Sequence, residues 1–166
     1  MTLRARTFVV LVEDVPGVLD RVASLFRRRS YNIESLAVGH TDREGVSHIT
    51  IVMNADDRTA KLVEANLYKL VNVLDVHDVS DQPSVVRDLA LIKVRADQDK
   101  RSEVMQIADI FRARVVDVSP EALIFEITGS EDKIEGLIDV LRPYGILEMA
   151  RTGMVAMARA AEGQPV

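Results

Sequence analysis

The sequence predicts an α+β protein made of two tandem βαββαβ sandwiches. Three observations carry that expectation. Strand-length apolar runs alternate with stretches of helical spacing, the order strand–helix–strand–strand–helix–strand occurs twice, and a short polar linker, Ser80 to Ser84, separates the two rounds.

In the first round, Thr7 to Val12 (TFVVLV) is a continuous run rich in β-branched residues, so this strand should be buried on both faces. Asp14-Val15-Pro16-Gly17 breaks it. Val18, Leu19, Val22, Leu25 and Phe26 then recur at helical intervals. That helix closes on Arg27-Arg28-Arg29, where positive charge suits the carbonyl end of the dipole. Ile33 to Thr41 is a second strand, and His40 to Gly45 makes a polar turn. Val46 to Met53 alternates, with Ile49, Ile51 and Met53 on one face and Val46, His48, Thr50 and Val52 on the other. Asn54 to Arg58 is a turn with capping residues, Ala60, Val63, Leu67 and Leu70 line a second helix, and Val73 to Val79 is the fourth strand.

The second round repeats the order without obvious sequence identity. Leu89 to Val94 is a strand, and Val104, Ile107, Ala108 and Phe111 mark a helix. Val115 to Val118 and Leu123 to Thr128 are strands joined by a turn at Ser119-Pro120. Ser130, Glu131 and Asp132 suit a helix start, where hydroxyl and carboxylates satisfy free amides. Ile134, Leu137, Ile138 and Leu141 are its buried stripe, Arg142-Pro143-Tyr144-Gly145 stops it, and Ile146 to Met149 is the last strand.

Two such rounds imply two ferredoxin-like domains, each a four-stranded antiparallel sheet covered on one face by two helices, with its first and third strands central. The expected boundaries are 1–80 and 85–159, with a mobile tail at 160–166. The uncovered face of each sheet and its outer strands still need protection.

Composition excludes several functions. The 166 residues suffice for two small domains, and 48% hydrophobic content suffices for packed cores. The formal net charge is −5, and neither half has the basic excess that phosphate-backbone binding demands. Aromatics are 4% and Trp is absent, so base-stacking platforms are hard to build. Without cysteine there are no disulfides and no thiolate chemistry. No apolar run approaches the roughly 20 residues that span a bilayer. A cytoplasmic protein with neither nucleic acid nor membrane as partner is expected.

Catalytic constellations are missing as well. His40, His48 and His77 fall on a turn and two strands, at no spacing typical of metal ligation. Gly17 is isolated rather than part of a glycine-rich phosphate loop, and no G-x-S-x-G surrounds Gly129-Ser130. Asp56-Asp57 and Glu131-Asp132 stand at helix starts, where capping explains them. Arg27 to Arg29 reads as a solvated helix end. No free-standing enzyme is visible.

The informative stretch is Glu13 to Val38, in which a strand ends in Asp-x-Pro-Gly and a helix begins at once. Gly17 permits positive φ and a close approach to the backbone. The amides of the first helical turn, at Gly17, Val18 and Leu19, form an anion site reinforced by the dipole, and the carboxylate of a free amino acid fits it. An ordinary strand-to-helix turn is the bland alternative.

Pro16-Gly17-Val18-Leu19-Asp20-Arg21-Val22, Leu25-Phe26 and Arg28 to Leu36, with Asn32-Ile33-Glu34-Ser35-Leu36 as its most specific part, resemble the ACT domain of acetolactate synthase small regulatory subunits. Leu91 to Val94, Ile110 to Ala113, Val116 to Val118, Thr128-Gly129 and Arg151-Thr152-Gly153 extend the resemblance over nearly the whole chain. The resemblance implies a homodimer whose ACT edge strands pair, so that valine or a related branched-chain amino acid binds at the interface. Gly17, Val18 and Leu19 of one chain would hold its carboxylate, and Asn32 and Ile33 of the other would supply an amide side chain and a backbone contact. It also implies a partner, the large catalytic subunit, carrying thiamine diphosphate, Mg²⁺ and FAD, with no cofactor on this chain. A free-standing amino-acid sensor without a catalytic partner is the alternative.

Two positions depart from the family pattern. Asp14 stands where many members carry Asn, and its carboxylate can hold a ligand's ammonium but repels a ligand carboxylate. Ser30 replaces a Gly; if positive φ is needed there, Ser costs about 1 kcal/mol.

Overall fold

The computed structural model describes residues 2–160. Its contacts divide the chain into two units, one running to Val85 and resuming at Met154, the other Val86–Gly153.

In the first unit the central strand β1 (Arg4–Glu13) pairs antiparallel with β3 (Val46–Ala55) and β4 (Val73–Asp78), while β2 (Ser35–His40), among the described residues, pairs only with β3. The order β2-β3-β1-β4 leaves β2 and β4 at the edges. Helices α1 (Val18–Arg28) and α2 (Asp57–Leu67) cover one face. Phe8, Val10 and Val12 of β1 and Ile49, Ile51 and Met53 of β3 meet Val22, Leu25, Phe26, Val63 and Leu67 there. Each large side chain so buried contributes about 1.5–3 kcal/mol. Asp56 caps α2, its carboxylate accepting from the Thr59 amide at 2.7 Å; that bond holds the carboxyl below its ordinary pKa.

The other face of β1 is buried too, as its apolar run predicted: Val9 is 8% exposed, and on β3 Thr50 is 0% exposed. The cover includes a strand that the sequence pattern did not separate, β9 (Val155–Ala158). Ala156 donates its amide to the Thr50 hydroxyl at 3.3 Å, and Met154 donates its amide to the Ser35 hydroxyl at 3.0 Å. Arg159 donates to the Pro83 carbonyl at 2.9 Å, as β9 pairs with β5 (Ser84–Arg95), whose first two residues belong to this unit. By contacts, the chain from Met154 on groups with the first unit.

The second unit repeats the topology. Its sheet runs β6 (Arg114–Val118), β7 (Ala122–Gly129), β5, β8 (Ile146–Arg151), with α3 (Arg101–Ile110) and α4 (Glu131–Leu141) above a core that includes Ile92, Phe125, Ile134 and Leu137. Strand β8 extends two residues past the expected Met149. Ser130 takes the N-cap position of α4, but its hydroxyl makes no capping bond. Arg151 and Thr152 have a structural task, because both bind the buried carboxylate of Asp88, Arg151 Nη2 at 2.6 Å and Thr152 Oγ1 at 3.1 Å. The expected tail falls, apart from Ala160, outside the described residues.

Candidate effector site

The turn after β1 is held from three directions. Asp14 donates its amide to the Gly45 carbonyl at 2.8 Å, Val15 donates to Glu13 at 3.0 Å, and Glu13 donates to the Asn72 carbonyl at 2.9 Å. The Asn72 carboxamide also donates to the Glu13 carboxylate at 2.7 Å and accepts from the Arg21 guanidinium of α1. Asn72, in the turn before β4, thus braces the turn, and nothing in the sequence pattern distinguished it. Gly17 is the N-cap of α1 at φ 85° and ψ −3°, with open space where a Cβ would stand. The expectation that this position needs glycine's freedom holds.

Among the described residues, the amides of Gly17, Leu19 and Asp20 have no protein acceptor, whereas Val18 donates to the Val15 carbonyl at 3.3 Å. The Val18 side chain is buried in the core. Of the three amides expected to receive an anion, Gly17 and Leu19 are available, Asp20 joins them, and Val18 is engaged in the turn. A helix start with several free amides and the positive end of the dipole attracts a carboxylate. Close by, the Asp14 carboxylate lies 3.3 Å from His40 Nδ1, a neighbour that the sequence placed only in a turn.

Asn32 and Ile33 belong to the connection from α1 to β2. Ser30 has a φ of 56°, the left-handed conformation that the family's Gly would take without strain. Tyr31 donates its amide to the Phe26 carbonyl at 3.0 Å and packs edge-on against the Phe26 ring. Ile33 is half-buried, its side chain packed against the core. Asn32 is exposed and donates from Nδ2 to Glu34 Oε1 at 2.6 Å.

Register places these two groups at opposite ends of the sheet. Ser35 lies opposite Val52, which lies opposite Thr7; His40 lies opposite Ser47, which lies opposite Val12. Asn32 therefore lies beyond the Thr7 end and Asp14 beyond the Val12 end, separated along the sheet by more than the span from Thr7 to Asp14, about 23 Å at 3.3 Å per residue. One chain does not bring them together.

A cleft of about 1050 Å³ opens on the helix-free face, between Val9, Leu11, Ala37, His48 and Met157. None of Asp14, Gly17, Val18, Leu19, Asn32 or Ile33 lines it. Burial pushes the His48 imidazole there below its ordinary pKa, against the opposing effect of nearby backbone carbonyls. No three His, Asp or Glu residues among those described cluster closely enough to hold a metal ion. No helix among them is long and apolar enough to cross a membrane.

Comparison with known proteins finds similarity over nearly the full length. The model of the AHAS small subunit-like ACT domain matches residues 8–75, and that of the small subunit of acetolactate synthase matches residues 87–160. The probable acetolactate synthase small subunit of Archaeoglobus fulgidus is 52% identical over 153 residues, 92% of this chain and 96% of the relative. The acetolactate synthase small subunit of Mycobacterium bovis is 50% identical over 163 residues, 98% of this chain and 97% of the relative. The crystal structure of the acetolactate synthase small subunit from Thermotoga maritima superposes with a TM-score of 0.88 at 43% identity, covering 95% of this chain and 99% of that one.

Proposed function

This chain belongs to the acetolactate synthase small-subunit family, and we propose on that footing that it activates a larger catalytic subunit and withdraws the activation when valine binds. The observation that carries the proposal is the placement of Gly17 and Asn32 at opposite ends of a sheet whose edge strand is β2. An edge strand exposes a row of unpaired backbone groups, and pairing with a second copy is the commonest way to cover it. If β2 pairs antiparallel with β2 of a second copy about a two-fold axis, the strands run past each other in opposite directions. The partner's Asn32 and the partner's Ile33 then come to the end where Asp14, Gly17 and Leu19 stand. Two half-sites become two whole ones.

Each whole site suits a zwitterion. The free amides of Gly17 and Leu19 take the carboxylate, Asp14 offers negative charge to the ammonium, and exposed Leu19 and Val15 offer apolar contact to a branched side chain. Charge-assisted hydrogen bonds of this kind contribute about 1.5–3 kcal/mol each. Valine regulates through its differential affinity for two arrangements of the dimer, typically about 1–3 kcal/mol of coupling.

The chemistry of acetolactate formation, with thiamine diphosphate, Mg²⁺ and FAD, belongs in this proposal to the catalytic partner. This chain supplies no cofactor and no catalytic side chain, and works with that subunit in the cytoplasm. The test is to assay acetolactate formation by the catalytic subunit alone, with this chain, and with this chain plus valine. The proposal expects a rise on adding the chain and a fall on adding valine. An unchanged rate with the chain present favours a free-standing amino-acid sensor.

A further inference from the structure

We propose that Glu34 is a positioning residue for Asn32, and that the pair makes the site select ligands bearing a cationic amine over their 2-oxo analogues. This rests on the effector site proposed above. An ionised Glu carboxylate can only accept a hydrogen bond, so the Asn32 group 2.6 Å from Glu34 Oε1 is its NH₂. The carboxamide oxygen, Oδ1, is then turned away from Glu34 and left for a ligand.

The surrounding chain makes this assignment firm. Glu34 donates its amide to the Val52 carbonyl at 2.8 Å, and Ser35 opens the paired part of β2. Ile33, on one side of Glu34, packs against the core. The backbone from Ile33 to Ser35 is thus fixed, and the Asn32 side chain is the movable part. Its orientation is set by Glu34, which among the described residues makes no other side-chain hydrogen bond.

Selectivity follows from the atom presented. Oδ1 can only accept, so the ligand group that meets it must donate a proton. The ammonium of an amino acid does so. The keto oxygen of the matching 2-oxo acid cannot, and would set acceptor against acceptor. Asp14 adds a second acceptor on the far side of the seam, and the Gly17 and Leu19 amides fix the carboxylate end of the ligand. The ligand's direction in the site is thereby determined.

Calorimetry on the full chain with L-valine and with 3-methyl-2-oxobutanoate, which shares valine's side chain, tests this. Wild type should bind valine in preference to the oxo acid. Glu34→Ala should lose about tenfold in valine affinity, the scale of one charge-assisted hydrogen bond, and its preference over the oxo acid should narrow as Asn32 becomes free to flip. Glu34→Gln should stay within about threefold of wild type, since its carbonyl oxygen still accepts from Nδ2. A Glu34→Ala chain with wild-type affinity and wild-type preference overturns the inference alone. A wild type that binds neither compound overturns the selectivity together with the effector-site reading. The side-chain amide resonances of Asn32, recorded without ligand, test the orientation separately: they should shift in Glu34→Ala and be retained in Glu34→Gln, and an unchanged Glu34→Ala spectrum contradicts it.

Discussion

The amide of Met154 donates to the hydroxyl of Ser35 at 3.0 Å across 119 positions of the chain. Strand β2, which begins just after Asn32 and Glu34, is therefore tied to the last strand. The Ala156 amide and the buried Thr50 hydroxyl make the second tie. Replacing Thr50 by Val keeps the shape but leaves the Ala156 amide without its acceptor, at a cost of about 1–3 kcal/mol. Amide exchange across Val155–Ala158 should accelerate in Thr50→Val, and further in Ser35→Ala/Thr50→Val, while the second unit keeps its protection. Uniform acceleration over both units would show that β9 is held by something else.

Arg6 should be the most sensitive polar position in the first unit. Its side chain is 5% exposed and meets Asp57, Asp78 and Asp81. Removing one partner of a buried pair costs about 3–5 kcal/mol. Asp57 and Asp81 are largely open to water and re-solvate, so Arg6→Gln is expected to cost about 2 kcal/mol in urea unfolding.

Ser30 at φ 56° makes the opposite prediction. A non-glycine residue in the left-handed region costs about 1–2 kcal/mol, and glycine's extra unfolded-state entropy returns about 0.5–1 kcal/mol of that. Ser30→Gly should stabilise the chain by about 0.5–1 kcal/mol. A loss of stability would mean that the Ser30 side chain contributes something the strain conceals.

His48 sets a pH dependence. Burial lowers its pKa in the folded state, so the unfolded chain takes up the proton first as pH falls through the ordinary imidazole range, near 6.5. Stability is then fully present above that range, declines as pH drops through it, and levels off below the folded value. The unfolding midpoint of wild type should fall between pH 8 and pH 5.5. His48→Gln should flatten that slope, with Asp56, Asp75 and Asp81 contributing only at more acidic pH because their pKa values are lowered.

Most of the architecture was legible because it rests on local patterns. TFVVLV reads as a two-faced strand, and Val9 on one side and Phe8 on the other are both buried. Val22, Leu25 and Phe26 read as a helix face and form one. Asp56 reads as a cap and is one. β9 was not legible, because MVAMA is short, built of small and flexible residues, and becomes a strand only where Ser35, Thr50 and Pro83 supply partners distant in sequence. At the site, Gly17 was readable from Pro-Gly before a helical stripe. Which amides stay free was not, since the Val18–Val15 bond depends on the turn's detailed path. Asn72 and His40 reach the turn only through the sheet register, and no spacing in the sequence announces that.

In the proposed dimer each effector site joins Gly17 of one chain to Asn32 of another. Gly17→Asp and Asn32→Ala should each abolish valine binding when studied alone. When the two variants are unfolded together and refolded, a mixed dimer holds one doubly broken site and one intact site. Calorimetry on the mixture should then recover about a quarter of the wild-type number of valine sites, at wild-type affinity. If both variants fold and re-associate but no sites return, Gly17 and Asn32 do not meet across two chains, and the shared site does not exist.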